Sequence, residues 1–84
     1  MKIKRIYIEE ELECWQYIAE FLELDTEKEM DNDFEKTKDL FTKNHKEIYQ
    51  NENENIYIYI LSYNNKTMLI LEDLEEEISY FINI

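Results

Sequence analysis

Two β-rich stretches decide the fold: IYIYIL at residues 56–61 and TMLIL at residues 67–71. Both consist largely of β-branched, aromatic and other apolar residues, and only SYNNK separates them. Asparagine tolerates the left-handed backbone region that a tight turn requires, so Asn64 and Asn65 can form that turn without glycine. The pattern therefore predicts a β-hairpin.

The chain before the hairpin predicts a strand followed by two helices. Residues 2–8 alternate between two faces, as a strand does, whereas apolar residues recur at helical spacing across residues 9–24. A second helix is predicted from residue 26 to about residue 49, with residue 33 as an alternative start, because its apolar residues step by three and four. The polar sequence QNENEN at residues 50–55 predicts a loop.

The segment after the hairpin fits two structures. Leu74, Ile78 and Phe81 recur at helical spacing, whereas every second residue from 78 to 84 is apolar or aromatic, as in a strand. Acidic residues at the start of the segment favour the helix. The prediction is thus a single α+β domain, residues 1–84, of order β-α-α-β-β-α, with helices on one face of a small antiparallel sheet. Tyrosines or a second copy of the chain are expected to cover the other face.

Composition and charge exclude several classes of function. Among 84 residues, 21 Asp and Glu oppose 9 Lys and Arg, which gives a net charge of −12. Direct binding to DNA, RNA or an anionic membrane is disfavoured, because Lys and Arg make the phosphate contacts. The chain has no glycine, which excludes the glycine-dependent phosphate loops. A single cysteine, no export signal and no membrane-spanning apolar run predict a cytoplasmic location.

No catalytic residue, metal site or cofactor is predicted. The sequence DNDFE at residues 31–35 opens like a calcium loop, but Lys36 and Thr42 occupy the positions that require glycine and glutamate. Cys14 and His45 lack the spaced partners of a zinc site, and nothing in the sequence orients them as a nucleophilic pair. The sequence therefore favours a protein that is not an enzyme.

Regularly spaced carboxylates are the main functional signal. Acidic residues recur every four positions from 27 to 39, so a continuous second helix would carry them as one stripe. Like-charge pairs at this spacing each destabilise a helix by about 0.2–0.5 kcal/mol. A surface that only confers solubility avoids this cost by mixing charges of both signs, so the stripe favours a surface directed at a partner. The hairpin tyrosines are candidate anchors, since Tyr is enriched at interface cores. The predicted partner-binding residues are Glu27, Asp31, Glu35 and Asp39, then Glu9, Glu13, Glu20, Glu72, Asp73 and Glu76, with Tyr57, Tyr59 and Tyr63.

In size, charge and Tyr/Ile-rich strands, the whole chain resembles phage-encoded anti-CRISPR proteins and other DNA-mimic inhibitors. The resemblance implies a protein of the bacterial host cytoplasm that occupies the basic nucleic-acid groove of a CRISPR effector or other defence nuclease, with carboxylates in place of DNA phosphates. Two alternatives stay open. An antitoxin or nuclease-immunity protein needs the same surface, whereas the acidic subunit of a stable complex or homodimer would have large apolar surfaces instead of a spaced acidic face.

Overall fold

The strands form a single antiparallel sheet with three helices on one face. A computed structural model describes every residue from Met1 to Ile84. The strand order is β1-β5-β4-β3-β2, and every neighbouring pair is antiparallel. The predicted α+β class is confirmed. The elements in chain order are β1 (Lys2–Tyr7), α1 (Glu11–Phe21), α2 (Thr26–Asp31), α3 (Glu35–Asn44), β2 (His45–Asn51), β3 (Ile56–Tyr63), β4 (Lys66–Asp73) and β5 (Ile78–Asn83).

The predicted hairpin is β3 and β4, and its turn has the expected chemistry. Asn64 and Asn65 have φ angles of 49° and 60°, in the left-handed region that asparagine tolerates. Pairing runs from Tyr63 opposite Lys66 to Ile56 opposite Asp73. Both strands therefore extend beyond the apolar runs that predicted them.

The core lies between the helices and one face of the sheet. Side chains alternate along each strand, and the register places Leu61, Met68 and Phe81 on the same face. Each of these three is at most 2% exposed. Ile18 of α1 and Leu22, the residue after α1, pack against them from the helical layer. No helix of the protein has the length and apolar character that crossing a membrane would require.

The second helix is divided, which corrects the prediction of one helix from residue 26 to about 49. α2 ends at Asp31 and α3 begins at Glu35. Between them Asp33 and Phe34 have φ angles of 54° and 56°. Phe34 is only 1% exposed, so burial of its ring offsets a left-handed backbone that residues with a Cβ usually avoid.

A buried carboxylate connects the two helices across this break. Glu29 of α2 is 7% exposed, and its Oε1 accepts hydrogen bonds from the Thr37 backbone N–H at 2.7 Å and the Thr37 hydroxyl at 2.6 Å. Phe34, the residue before α3, cannot cap that helix with its side chain, so Glu29 satisfies a free N–H of its first turn instead. Asp25 caps α2, because its side chain accepts hydrogen bonds from the backbone N–H groups of Glu27 and Lys28.

Two segments form strands where helix or loop was predicted. β2 begins at His45, inside the predicted helix, and continues to Asn51, inside the predicted loop, because pairing with β3 satisfies its backbone. β5 takes the strand alternative of the last segment and not the favoured helix. It pairs with β1 on one side and β4 on the other, which supplies ladder hydrogen bonds along both edges.

Candidate functional site

The acidic stripe predicted on the second helix does not form as one row. Glu27 and Asp31 lie on α2, whereas Glu35 and Asp39 lie on α3, so the helical spacing is lost between residues 31 and 35. All four side chains are exposed. Asp39 also pairs with Lys43 at 3.1 Å. The row is therefore two separate pairs of carboxylates, one of them partly neutralised.

Three loops instead gather acidic residues at one end of the sheet. The β1–α1, β2–β3 and β4–β5 connections all leave the sheet at this end. The Ile8 N–H donates to the Glu77 carbonyl and the Leu74 N–H donates to the Asn55 carbonyl, each at 2.9 Å, which ties the loops together. We name this surface the acidic end and define it by Glu9, Glu10, Glu11, Glu52, Glu54, Glu72, Asp73, Glu75, Glu76 and Glu77.

No Lys or Arg forms an ion pair with the acidic end. Its loops contain no Lys or Arg, and neither do residues 6–27, 47–65 and 67–84 around them. The ion pairs of the protein, Lys43–Asp39 and Lys66–Glu23, involve none of its carboxylates. Asp73 instead accepts backbone N–H groups of Glu75 and Glu76, which shapes the β4–β5 turn. The surface thus keeps its negative charge exposed to an approaching partner.

Only some of the predicted acidic residues belong to the acidic end. Glu9, Glu72, Asp73 and Glu76 are part of it. Glu13 and Glu20 lie along α1 and line a different groove, which also contains Lys2 and Lys4. The structure therefore separates the predicted set into the acidic end, the α1 groove and the two pairs on α2 and α3.

Six members of the acidic end were absent from the predicted binding set: Glu10, Glu11, Glu52, Glu54, Glu75 and Glu77. Helical spacing could not find them, because all except Glu11 lie in loops, and these loops are far apart in sequence. Sheet topology was the missing signal. Once residues 45–51 and 78–83 are assigned as strands, the turns that precede β3 and β5 must lie at the same end of the sheet.

The predicted tyrosine anchors lie on the helical side of the sheet. Tyr57, Tyr59 and Tyr63 occupy every second position of β3 together with buried Leu61, so they lie on the same face of the sheet as Leu61. Tyr59 and Tyr63 pack against the core cluster. Burial and the nearby Glu72 carboxylate raise the pKa of Tyr59 to about 12. These tyrosines therefore do not form an exposed patch on the opposite face.

The face opposite the helices is apolar and uncovered, and we name it the open face. Its central row runs Tyr80, Leu71, Ile58 across three strands, and Ile3 and Tyr7 at the β1 edge are 51% and 59% exposed. Tyrosines were expected to cover this face, but isoleucine and leucine form most of it. Its apolar residues are Ile3, Tyr7, Tyr49, Ile56, Ile58, Ile60, Leu69, Leu71, Ile78, Tyr80 and Ile82.

An apolar cleft of about 330 Å³ opens on the helical side, between α1, α3 and the sheet. We name it the Trp15 cleft. Its walls include the rings of Trp15, Phe41 and Tyr59, and the carboxylates of Glu11 and Glu72 also line it. Burial raises the pKa of Glu72 above its usual range, although a hydrogen bond with Tyr59 acts in the opposite direction. A partly desolvated carboxylate thus lies among aromatic rings.

Cys14 also lines the Trp15 cleft and is expected to react slowly with alkylating reagents. Burial, followed by the charges of nearby carboxylates such as Glu72, raises the pKa of its thiol from 9.0 to about 11. The thiolate is the reactive form, so two pKa units predict alkylation about 100-fold slower in the folded protein than in the unfolded chain near pH 8. Iodoacetamide labelling followed by mass spectrometry, with and without concentrated urea, measures the ratio. Equal rates in the two conditions would contradict the assigned environment of Cys14.

No group of three or more His, Cys, Asp and Glu side chains is arranged to hold a metal ion. Comparison with known proteins finds no match, whether among protein-family models, curated proteins or solved structures. The acidic end, the open face and the Trp15 cleft are therefore the features from which function is inferred.

Proposed function

We propose that the protein is a non-enzymatic inhibitor that binds the basic nucleic-acid-binding surface of another protein through the acidic end. A CRISPR effector or another bacterial defence nuclease is the kind of partner proposed. The observation that carries the proposal is the convergence of three loops on ten carboxylates with no Lys, Arg or ion pair among them. Mutual repulsion of these charges destabilises the folded chain, and a cationic partner would relieve it.

The dimensions of the acidic end suit competition with a nucleic acid. Five strands at a spacing of about 4.8 Å make the sheet end roughly 20 Å wide. Phosphates along one DNA strand rise by about 3.4 Å each, so the acidic end spans about six of them. A groove that normally binds a polyanion could thus accept the carboxylates, and long-range attraction would accelerate the encounter at low salt.

Charge reversal tests whether the acidic end is the binding surface. The tagged protein is used to capture a nucleic-acid-binding protein from the host, and inhibition of that protein's nucleic-acid binding is then measured. Glu75→Lys with Glu76→Lys should weaken inhibition by at least about 10-fold, because both side chains are exposed at the tip of the β4–β5 turn.

The matched control is Glu27→Lys with Asp31→Lys on α2, which changes the net charge by the same amount. We expect this variant to retain most of the inhibition. If both variants lose inhibition equally, or if only the α2 variant loses it, the assignment to the acidic end is wrong. The identity of the captured protein also distinguishes the two functions. Capture of a defence effector supports an effector inhibitor, whereas capture of a toxin nuclease supports an antitoxin.

The open face favours a second candidate function, that of a homodimer subunit. Strands of six to eight residues give this face a footprint of roughly 500 Å² per copy, or about 1,000 Å² for two, which reaches the size of a specific interface. Its charged residues are Arg5, Lys46 and Asp73, so its net charge is 2 − 1 = +1 against −12 for the chain. Two copies could therefore meet here without strong charge repulsion between their open faces. The two candidates are compatible, because Asp73 is the only member of the acidic end that lies on the open face, so a dimer would leave the other nine free.

A further inference from the structure

We propose that the Trp15 cleft is the binding site for a cation carried on an apolar stem, such as the Lys or Arg side chain of a partner. The inference deepens the proposed function, since it rests on a basic partner. It concerns a different feature, however, because the cleft is apolar and concave, whereas most residues of the acidic end lie in exposed loops.

The shape of the cleft suits a single long side chain. Its volume of about 330 Å³ lies at the lower end of the range for small-ligand sites, about 300–1,000 Å³. Ile18, Ile70 and Phe81 contribute buried apolar surface to its lining. An alkyl stem placed there would be removed from water. This burial adds a hydrophobic contribution to the binding free energy that a surface ion pair lacks.

The aromatic walls suit a positive charge. Trp15 and Phe41 lie edge to face, with ring centroids 5.7 Å apart and planes at 84°. Aromatic faces attract ammonium and guanidinium groups within about 6 Å, and tryptophan does so most strongly. Lys38, which does not line the cleft, already holds its ammonium 5.7 Å from the Trp15 centroid. This ring thus already attracts one cation of the chain, which shows that its environment suits a cation–π contact.

Glu72 supplies the charge that a cation would neutralise. It is half-buried in the wall of the cleft and pairs with no Lys or Arg of the chain. A partly desolvated carboxylate without a cation is energetically unfavourable. An inserted ammonium therefore contributes more binding free energy here than it would beside a fully hydrated glutamate. Glu72 and Glu11 belong both to the cleft and to the acidic end, which places the cleft beside the surface that a basic partner would approach.

A series of three probes of equal chain length tests the proposal: hexylammonium, hexanol and hexanoate. Trp15 is the only tryptophan, so its fluorescence reports binding, and NMR chemical shifts locate the probe. Hexylammonium should bind at least about 10-fold more tightly than hexanol, and hexanoate should bind most weakly. Equal affinity for hexylammonium and hexanol would overturn the proposal, and this comparison needs no variant.

Glu72→Gln separates the cleft from the general negative charge of the protein. This variant should reduce the preference for hexylammonium over hexanol to about three-fold or less, whereas Glu76→Gln, which removes the same charge from the exposed turn, should leave it intact. Equal losses in both variants would mean that the probe senses only net charge and would overturn the proposal. Failure here leaves the proposed function open, because Glu75 and Glu76, which test the acidic end, do not line the cleft.

Discussion

Replacing Leu71 with arginine is expected to convert a dimer into a monomer. Leu71 lies at the centre of the open face, paired with Ile58 on one side and Tyr80 on the other. A homodimer would bury two copies of the new guanidinium without a partner for either, so we expect the dimer dissociation constant to rise by at least about 100-fold. Sedimentation velocity over a range of micromolar concentrations measures the change. The fold should survive, because Leu71 lies on the face away from the core.

Leu74→Arg is the matched control for this experiment. Leu74 is exposed in the β4–β5 turn, outside the open face, and receives the same chemical change. It should leave the dissociation constant unchanged. A wild-type protein that remains monomeric at about 100 µM, or equal dissociation by both variants, would remove the second copy as the occupant of the open face.

Replacing Glu29 with alanine is expected to cause the largest loss of stability among single substitutions of acidic residues. The change leaves the buried N–H and hydroxyl of Thr37 without their acceptor and removes the connection between α2 and α3. We expect the free energy of unfolding to fall by about 2–4 kcal/mol, a large part of the roughly 5 kcal/mol that a small domain has. Urea denaturation followed by circular dichroism measures it.

Two companion variants make the stability result specific. Glu29→Gln keeps one carbonyl acceptor and should lose less than alanine does. Glu27→Ala removes an exposed carboxylate from the same short helix and should change the free energy of unfolding by no more than about 0.5 kcal/mol. If Glu29→Ala and Glu27→Ala had equal effects, the buried connection would contribute nothing beyond ordinary helix propensity.

The parts of the fold that could be predicted depend on local chemistry. The hairpin followed from β-rich runs around two asparagines, and α1 followed from its apolar spacing. The break before α3 could not be predicted in this way, because Phe34 fits the apolar stripe of a continuous helix equally well and its left-handed backbone is unusual for a residue with a Cβ. Only the three-dimensional position of the Glu29 carboxylate explains how α3 begins there.

The strands β2 and β5 needed information about their partners. β2 lacks strict alternation and contains a bulge near Ile48, so its sequence carries little strand signal without β3 beside it. In β5, Ile78 and Phe81 fit a helical period, whereas Ile78, Tyr80 and Ile82 fit a strand period, and pairing with both β1 and β4 decides between the two. The acidic end was not predicted as one surface for the same reason, because only these strands bring its turns to the same end of the sheet.

The position of the acidic end also affects how the molecule moves before any contact forms. Lys2 and Lys66 lie at the opposite end of the sheet, where Lys66 pairs with Glu23, whereas the acidic end has no ion pair, so the charge is distributed unevenly along the strand direction. We therefore expect the protein to have an electric dipole in addition to its net charge. In the field of a positively charged surface, this dipole produces a torque that rotates the molecule as it diffuses. The acidic end then faces the surface, so a larger fraction of collisions occurs in the orientation that can bind.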